Sequence, residues 1–502
     1  MSANIFTVID LMFGDSGKGA HVDYLCREHP VHTVVRFNGG SQAGHNVHTS
    51  DGKHHCFHQF GSGTLANNSD TFLSEYVLVD IWRMNKEAED LKLLGVDDPM
   101  SRMYIHEDCP IVTPWHIAAN RIKEILRNNR HGSCGLGIGE TAFDLTRFSE
   151  DEILRVKDLN SPYLLHKKIR HLYDVRRAEI LDEIDIMSGQ EKETGLTTYF
   201  DDSRWVEWFV NYLIQSRPNL NIVNDSFFTE RLERDGTIVF EGAQGVLLDE
   251  DYGFHPYTTW SHTTTHNIQK LLEKHKATNQ IYNYGLIRAY GTRHGAGPFS
   301  TECAMPDACY EDDNIINDWQ DHFRVGTLDV GLVRYAIVAN NMSVDYDPNF
   351  EINGLVVSCV DKLLDQASYA INTTNVDHYF SVQVNDLVKR TEVSKKLLYT
   401  EPLNTEWYAN PAWIKQPVTP GLILNTISQK LTGIDINYYS VSPTAEGRFR
   451  YVFHNNFYEK KKGGNIMGAV DENLPDEEEL ETTPAVEDAA AAEGATDAEP
   501  AE

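Results

Sequence analysis

No stretch of this 502-residue chain approaches the ~20 consecutive apolar residues that a membrane helix needs, so a bilayer span is not expected. The first apolar run, Ile5 to Phe13, carries Asp10 and has no basic leader, which argues against a signal peptide. Cysteine is sparse and unpatterned, at positions 26, 56, 109, 134, 303, 309 and 359. An odd number without paired spacing speaks against a disulfide framework and predicts reduced thiols in a cytoplasmic setting. Basic residues are in short supply: 44 Lys and Arg stand against 75 Asp and Glu, a formal net charge of −31. Of those charges 13 lie between Asp471 and Glu502, where there is no Lys or Arg, which leaves −18 for the rest. A body this acidic repels phosphate backbones, so neither nucleic acid nor a membrane is expected as a partner. A small nucleotide still binds where backbone amides and a few basic side chains outweigh the distant field.

What is present is apolar content and glycine. With 41% hydrophobic residues, 34 glycines and 23 tyrosines, the chain suits a large, loop-rich α/β enzyme. Ile5 to Phe13 reads as a buried strand, broken by Gly14-Asp15-Ser16-Gly17-Lys18-Gly19. Ala20 to Glu28 then shows helical spacing, and Thr33 to Phe37 is a second strand running into Asn38 to His45. Strand, glycine turn, helix, strand predicts a central, mostly parallel sheet. Residues 150 to 235 read as a helical insertion, and further strand-then-turn units fall at Thr237 to Phe240, Ile281 to Gly297 and Leu355 to Asp361. No internal repeat is visible. From about Gly463 the apolar content collapses. The predicted organisation is therefore one α/β domain over 1–460, with glycine-rich nucleotide-binding loops and helical insertions, followed by an acidic disordered tail over 461–502.

The first glycine loop opens a helix, whose N-terminal amides favour an anion. It is not a Walker A loop, because position 12 is Met where that pattern wants Gly, and position 19 is Gly where it wants Ser or Thr. Asp15 within it is informative. A carboxylate among phosphate-binding amides is repelled by the ligand unless it binds Mg²⁺ or takes a proton from the substrate. A plain capping role for Asp15 on a βα turn weighs about evenly against that chemistry on the residues alone.

Several segments together resemble the adenylosuccinate synthetase family. The loop is similar to that family's Trp-Gly-Asp-Glu-Gly-Lys-Gly, and Asn38-Gly39-Gly40-Ser41-Gln42-Ala43-Gly44-His45 to its Gly-Gly-His-Asn-Ala-Gly-His. Gly132 to Gly139 resembles Gly-Thr-Thr-Gly-Arg-Gly-Ile-Gly, while Phe240-Glu241-Gly242-Ala243-Gln244-Gly245 is the family's segment unchanged. His255 to Thr259, Thr292 to Phe299, Leu431-Thr432-Gly433 and Ser440 to Pro443 follow in family order. Any one of these is weak; their order across nearly the whole chain is strong.

The resemblance implies a ligase in which the γ-phosphate of GTP moves to the 6-oxygen of IMP and the amino group of L-aspartate then displaces phosphate. It implies Asp15 as the base at purine N1 and a Mg²⁺ ligand, with the Gly44 carbonyl on the same ion. His45 is the implied acid near the 6-oxygen, and Lys18 neutralises the moving phosphoryl group. Gly14, Ser16, Gly17, Lys18 and Gly19 are implied to bind GTP, with Asp361, Ser440 and Ser442 at the guanine end. Gln42, Ser133, Cys134, Gln244, Thr259 and Arg324 are implied substrate ligands, and the working form is a homodimer.

The departures are as telling. The family's Arg-rich aspartate loop corresponds to Asn317-Asp318-Trp319-Gln320-Asp321-His322-Phe323-Arg324, which keeps one guanidinium and adds two acids. A dicarboxylate wants paired basic donors, so another amino donor stays open. The phosphate-binding Thr-Thr is Ser133-Cys134, and the Arg after it is Leu136. An arginine lent across the dimer would fall at Phe148, with Arg147 beside it. Guanine-reading Thr-Lys-Leu-Asp has become Ser358-Cys359-Val360-Asp361, which leaves GTP against ATP open. A viral branch of the family acts on dGMP, and the retained Asp15 argues against that branch. A non-catalytic nucleotide-binding protein is the alternative of another class. His54-His55-Cys56-Phe57-His58 and the pair Cys303 and Cys309 carry zinc-ligand types but lack a second ligand pair at a useful spacing, and are read as structural residues and free thiols.

Overall fold

The run that opens the chain is buried on both faces, which only the interior of a sheet provides. It forms β1 (Asn4–Asp10), paired in parallel with a strand on each side. The other strands, in chain order, are β2 (Val31–Arg36), β3 (His45–His48), β4 (His54–Phe57), β5 (Asp70–Leu73), β6 (Met103–His106), β7 (Asn221–Val223), β8 (Thr237–Glu241) and β9 (Ile281–Arg288). They continue with β10 (Gly291–His294), β11 (Phe323–Gly326), β12 (Leu328–Asp329), β13 (Gly354–Ser358), β14 (Tyr369–Asn372), β15 (Ala412–Ile414), β16 (Ile436–Ser440) and β17 (Arg448–Arg450). Ten of them make one sheet ordered β17-β16-β13-β9-β1-β8-β2-β5-β6-β7. Every pairing in it is parallel except the edge pair β16–β17. This computed structural model describes residues 3–67, 69–127, 132–187, 195–310, 319, 322–364, 366, 368–372, 412–415 and 417–451. The tail expected over 461–502 lies outside them.

Two differences from the expected elements have physical causes. The first strand ends at Asp10 rather than Phe13, because the Asp10 carboxylate turns back to accept the N–H groups of Met12, Gly14 and Ser16. Leu11, Met12 and Phe13 remain buried, but in the loop. The helical stretch expected over 150–235 is real, with α-helices at Pro162–Ile186, Arg204–Ser216 and Asp225–Glu233. It also hides the short edge strand β7, which is only partly buried and so carries no apolar run to announce it.

The helices near the site are α1 (Lys18–Glu28), α2 (Ile81–Leu93), α3 (Pro114–Leu126) and α4 (Ile138–Arg147). In α2 the buried Ile81, Met84, Ala88 and Leu91 recur at helical spacing, and Asp80 caps the first turn by accepting from the Arg83 N–H. In α3, Thr113 and Pro114 fix the start, and Trp115, Ala118, Ala119 and Ile122 form the buried stripe. Parallel strands all point their carboxyl ends to one edge of a sheet, where ligands of open α/β folds bind. Here that edge collects the turns after β1, β2, β8, β9, β13 and β16.

Candidate active site

The turns at the carboxyl edge of the sheet enclose a cavity of about 1120 Å³. Its floor is the loop after β1, organised by Asp10, which is 1% exposed. Asp10 accepts from the amides of Gly14 (3.3 Å) and Ser16 (2.8 Å) and pairs with Lys18 Nζ at 3.2 Å. Gly14, Asp15, Gly17, Lys18 and Gly19 line the cavity, while Ser16 is turned into the protein and does not. Gly17 is the left-handed N-cap of α1 and supplies no side-chain cap, so the helix start is left for a ligand. Gly19 is small for a different reason: a Cβ there would lie 2.7 Å from that of His45. The Ser or Thr of a Walker A loop does not fit under this wall. Asp15 is held at φ 61°, its carbonyl accepting from Arg288 Nε and its carboxylate 3.7 Å from His294 Nε2.

Above this floor, β3 brings in His45, which is 6% exposed, with Nδ1 2.5 Å from Glu241 Oε1 on β8. Burial pulls the imidazole down to about 4, against the upward pull of Glu241. Burial also opposes the Glu241 charge, but Arg36 and His45 overcome it and hold that carboxyl down at about 2. An ionised carboxylate only accepts, so Nδ1 donates and Nε2 is the nitrogen left for chemistry. Glu241 is anchored in turn by the Ser62 amide at 3.0 Å. Gln42 and Gln244 both line the cavity, and both amide heteroatoms of Gln42 and the Oε1 of Gln244 are buried without a partner. Buried amides are normally satisfied, so these are poised for a ligand. Gly44 and Cys134 face the same space.

Asp361, Ser440 and Ser442 also line the cavity. The Ser440 hydroxyl accepts from the Cys359 amide at 3.2 Å, and the Ser442 hydroxyl meets Thr444 Oγ1 at 3.2 Å, so both hold the turn.

Not every expected residue arrives. Ser133 is bound to Asn120 Nδ2 at 3.1 Å and is outside the cavity lining, as is Thr259, whose amide donates to the Leu248 carbonyl. Arg324 faces a separate cavity of about 780 Å³, where it pairs with Glu302 and donates to the carbonyls of Gly295 and Gly297. Among the rest of its loop, Trp319 lines the main cavity, while Asn317, Asp318, Gln320 and Asp321 lie outside the described residues. Arg147 is committed within its own chain to Asp144 and Glu179. His54–Phe57 is the second strand of a hairpin with β3, and His54 stacks on His48 at 4.1 Å. None of the seven cysteines is in a disulfide. The one group of metal-ligating types that converges among the described residues is Asp249, Asp251 and His262. Both Asp249 oxygens already accept backbone N–H groups there, so that carboxylate ties down a loop.

The structure adds basic residues that no motif announced. Arg83 on α2, Arg121 on α3, Arg288 at the end of β9 and Arg448 at the start of β17 all line the cavity. Arg121 donates to the Gly135 carbonyl at 2.8 Å and lies over the Trp319 ring at 5.2 Å. Burial, and next the like charge of Arg83, lower its pKa. No sequence signal marked them, since an arginine on a helix reads as a solvated face.

The family model of adenylosuccinate synthetase matches residues 7–446. The chain belongs to that family. Its members are ligases that form a C–N bond. The adenylosuccinate synthetase of Ehrlichia canis is 32% identical over 372 residues, 72% of this chain and 78% of that one. That of Petrotoga mobilis is 27% identical over 456 residues, 88% of this chain and 96% of that one. Among solved structures, the fully ligated adenylosuccinate synthetase of Plasmodium falciparum superposes with a TM-score of 0.67 at 21% identity, covering 90% of this chain and all of that one. The succinoaminodeoxyadenylate synthetase of cyanophage S-2L, solved with dGMP and with dATP as energy donor, gives 0.53 at 14% identity over 90% of this chain and 96% of that one. Those two likenesses establish the fold, a ten-stranded and mostly parallel sheet. Among the described residues no helix is long and apolar enough to cross a membrane.

Proposed function

We propose that this ligase joins L-aspartate to IMP at the expense of GTP, giving adenylosuccinate, GDP and phosphate. One observation carries the reading: Asp15, Lys18, His45, Gln244 and Asp361, drawn from four separate segments of the chain, line one cavity with His45 fixed by Glu241. Asp15 takes the N1 proton of the purine, which makes O6 nucleophilic towards the γ-phosphorus; the bond to the bridging oxygen of GDP breaks. The donor's amino nitrogen then attacks C6, and phosphate leaves. His45 Nε2 faces the charge developing near O6. An anion there favours the protonated ring that burial alone disfavours, so the acid is switched on by substrate. Lys18, tethered by Asp10, stays extended beneath the phosphoryl group.

The Asp15 carboxylate and the Gly44 backbone in one polar cavity fit a hard, oxygen-seeking Mg²⁺. When bound, the ion supplies neutralisation of phosphate charge. Arg121, bound to the Gly135 carbonyl, and Arg83, which lines the same cavity, suit the 5′-phosphate of the acceptor, in place of the threonine pair and arginines this chain lacks. A homodimer is supported by the exposed apolar group Phe143, Leu145 and Trp260 beside that turn. Seven cysteines outside any disulfide support a cytoplasmic setting.

A second acceptor or donor is favoured by one observation, the engagement of Arg324 with Glu302 outside the cavity. Phosphate release from GTP with Mg²⁺, across IMP, GMP and dGMP and with or without L-aspartate, tests both. Release with IMP and aspartate alone supports the first reading. Release with dGMP, or only with another amino acid, supports the second. Nucleotide binding without release under any pairing would sink both in favour of a non-catalytic role.

A further inference from the structure

The cavity contains a buried cation that the proposed reaction does not use. Arg448 opens β17 and is 6% exposed, and its Nε and Nη1 are buried without a hydrogen-bond partner. Among the described residues no carboxylate comes within salt-bridge distance of it. Asp23 lies nearby, but Arg27 already holds that carboxylate through bonds of 2.8 and 3.1 Å. A guanidinium withdrawn from water and left unpaired is costly, and the usual remedy is a counter-ion. Here the described residues supply none within ion-pair distance.

The position says where the counter-ion comes from. Arg448 lines the cavity along with Gly17, Ser358, Cys359 and Asp361. A Cβ on Gly17 would lie 3.6 Å from Arg448 Nη2, so the guanidinium sits against the uncapped start of α1. Helix amides and a buried guanidinium aimed at one space recognise an oxyanion. The purine base has no formal charge and already has Asp361 as a partner of opposite polarity. The acceptor's phosphate has Arg83 and Arg121 elsewhere in the cavity.

We propose that Arg448 is a ligand of the polyphosphate of the nucleoside triphosphate, closing on it from the antiparallel edge strand while the glycine loop holds it from below. The inference rests on the nucleotide-binding part of the function proposed above. It also accounts for an edge strand that folds back across the end of a parallel sheet: β17 is what delivers the charge.

The test is calorimetric binding of GTP, GDP and GMP to the full-length protein and to its R448K and R448M variants, without acceptor or donor, beside melting curves of the ligand-free proteins. The expected result is a loss that grows with phosphate count: R448M weakens GTP at least 30-fold, GDP about 10-fold and GMP less than 3-fold, with R448K between. Ligand-free R448M should melt at or above the wild-type temperature, because an unpaired buried charge has been removed. Equal weakening of all three nucleotides, unchanged GTP affinity, or a lower melting temperature with uniform loss of binding each overturns the proposal. A wild-type protein that binds no triphosphate would sink the parent reading and this inference with it; wild-type binding with an unaffected R448M sinks the inference alone.

Discussion

One wall of the cavity is built from turns at the carboxyl ends of β1, β2, β8, β13 and β16, and the opposite wall from the sides of α2 and α3 with the turn that leads into α4. The strand-end wall keeps its family segments, and two charged pairs are buried in it, Asp10 with Lys18 and His45 with Glu241. The helix wall has replaced its family residues and relies on Arg83, which is part-exposed and pairs with Asp80 at 3.5 Å, and on Arg121, which lies over the Trp319 ring. The difference lies in what fixes each wall. Turns at strand ends constrain the backbone, so their residues are hard to exchange. A helix face tolerates any side chain of suitable length, and recognition there is free to be rebuilt.

If that contrast is right, the strand-end wall should be the intolerant one. Asp15→Ala should lower phosphate release by about 10³-fold, at the level expected for losing a positioned base, with GTP affinity changed by less than 3-fold. A deficit confined to GTP affinity would make Asp15 a binding residue and remove the distinction between the walls. Glu241→Gln comes next. It leaves the shape of the pair but no longer fixes which imidazole nitrogen carries the proton, and turnover should fall about 10²-fold while thermal stability changes little by comparison. Equal losses of turnover and of folded protein would mean that the pair is only structural.

The same pair predicts an acid sensitivity. His45 has its pKa lowered to about 4 in the folded protein from an unfolded value near 6.5, so between those values the unfolded chain binds more protons. Its contribution to stability is therefore complete above pH 6.5 and is lost as the pH falls towards 4. Glu241, lowered from 4.5 to about 2, follows the same sign in the window below. The His45 contribution is on the order of 3 kcal/mol. Melting temperatures of wild type and His45→Gln should converge as the pH drops from 7 to 4; parallel curves would show that other buried histidines, not this pair, set the acid limit.

How much of this was legible in the sequence follows the same division. The sheet could be read because β1, β2, β8 and β13 are short apolar runs ending in glycine turns, and Asp15, Lys18, His45, Gln244 and Asp361 sit at fixed offsets from those turns. Asp10 was visible only as a polar residue in an apolar run. Its job, gathering the amides of Gly14 and Ser16, depends on a chain reversal that no residue pattern encodes, and it is why Ser16 points inward. Arg324 was legible as the surviving guanidinium of a basic loop, but its partner Glu302 stands 22 residues earlier and meets it only because Glu302 bridges antiparallel to Gly326 at the end of β11. Arg83, Arg121 and Arg448 were silent because long-range packing, not local pattern, turns them inward.

The smallest expected effect is also the one that separates the walls most directly. Arg121→Met should raise the KM for the nucleoside monophosphate about 10-fold, a loss typical of one charge-assisted contact, with kcat within 3-fold and the KM for GTP unchanged. Arg324→Met should leave both nucleotide constants alone. Its guanidinium already serves Glu302 and two carbonyls at the rim of the other cavity, and replacing it exposes a carboxylate that water can solvate. Should Arg324→Met instead raise the KM for L-aspartate alone, the donor would enter through the smaller cavity, whose lining shares Tyr310 with the larger one. Should the two variants behave alike, recognition would not have moved from the loop to the helix wall, and the altered loop would still be carrying it.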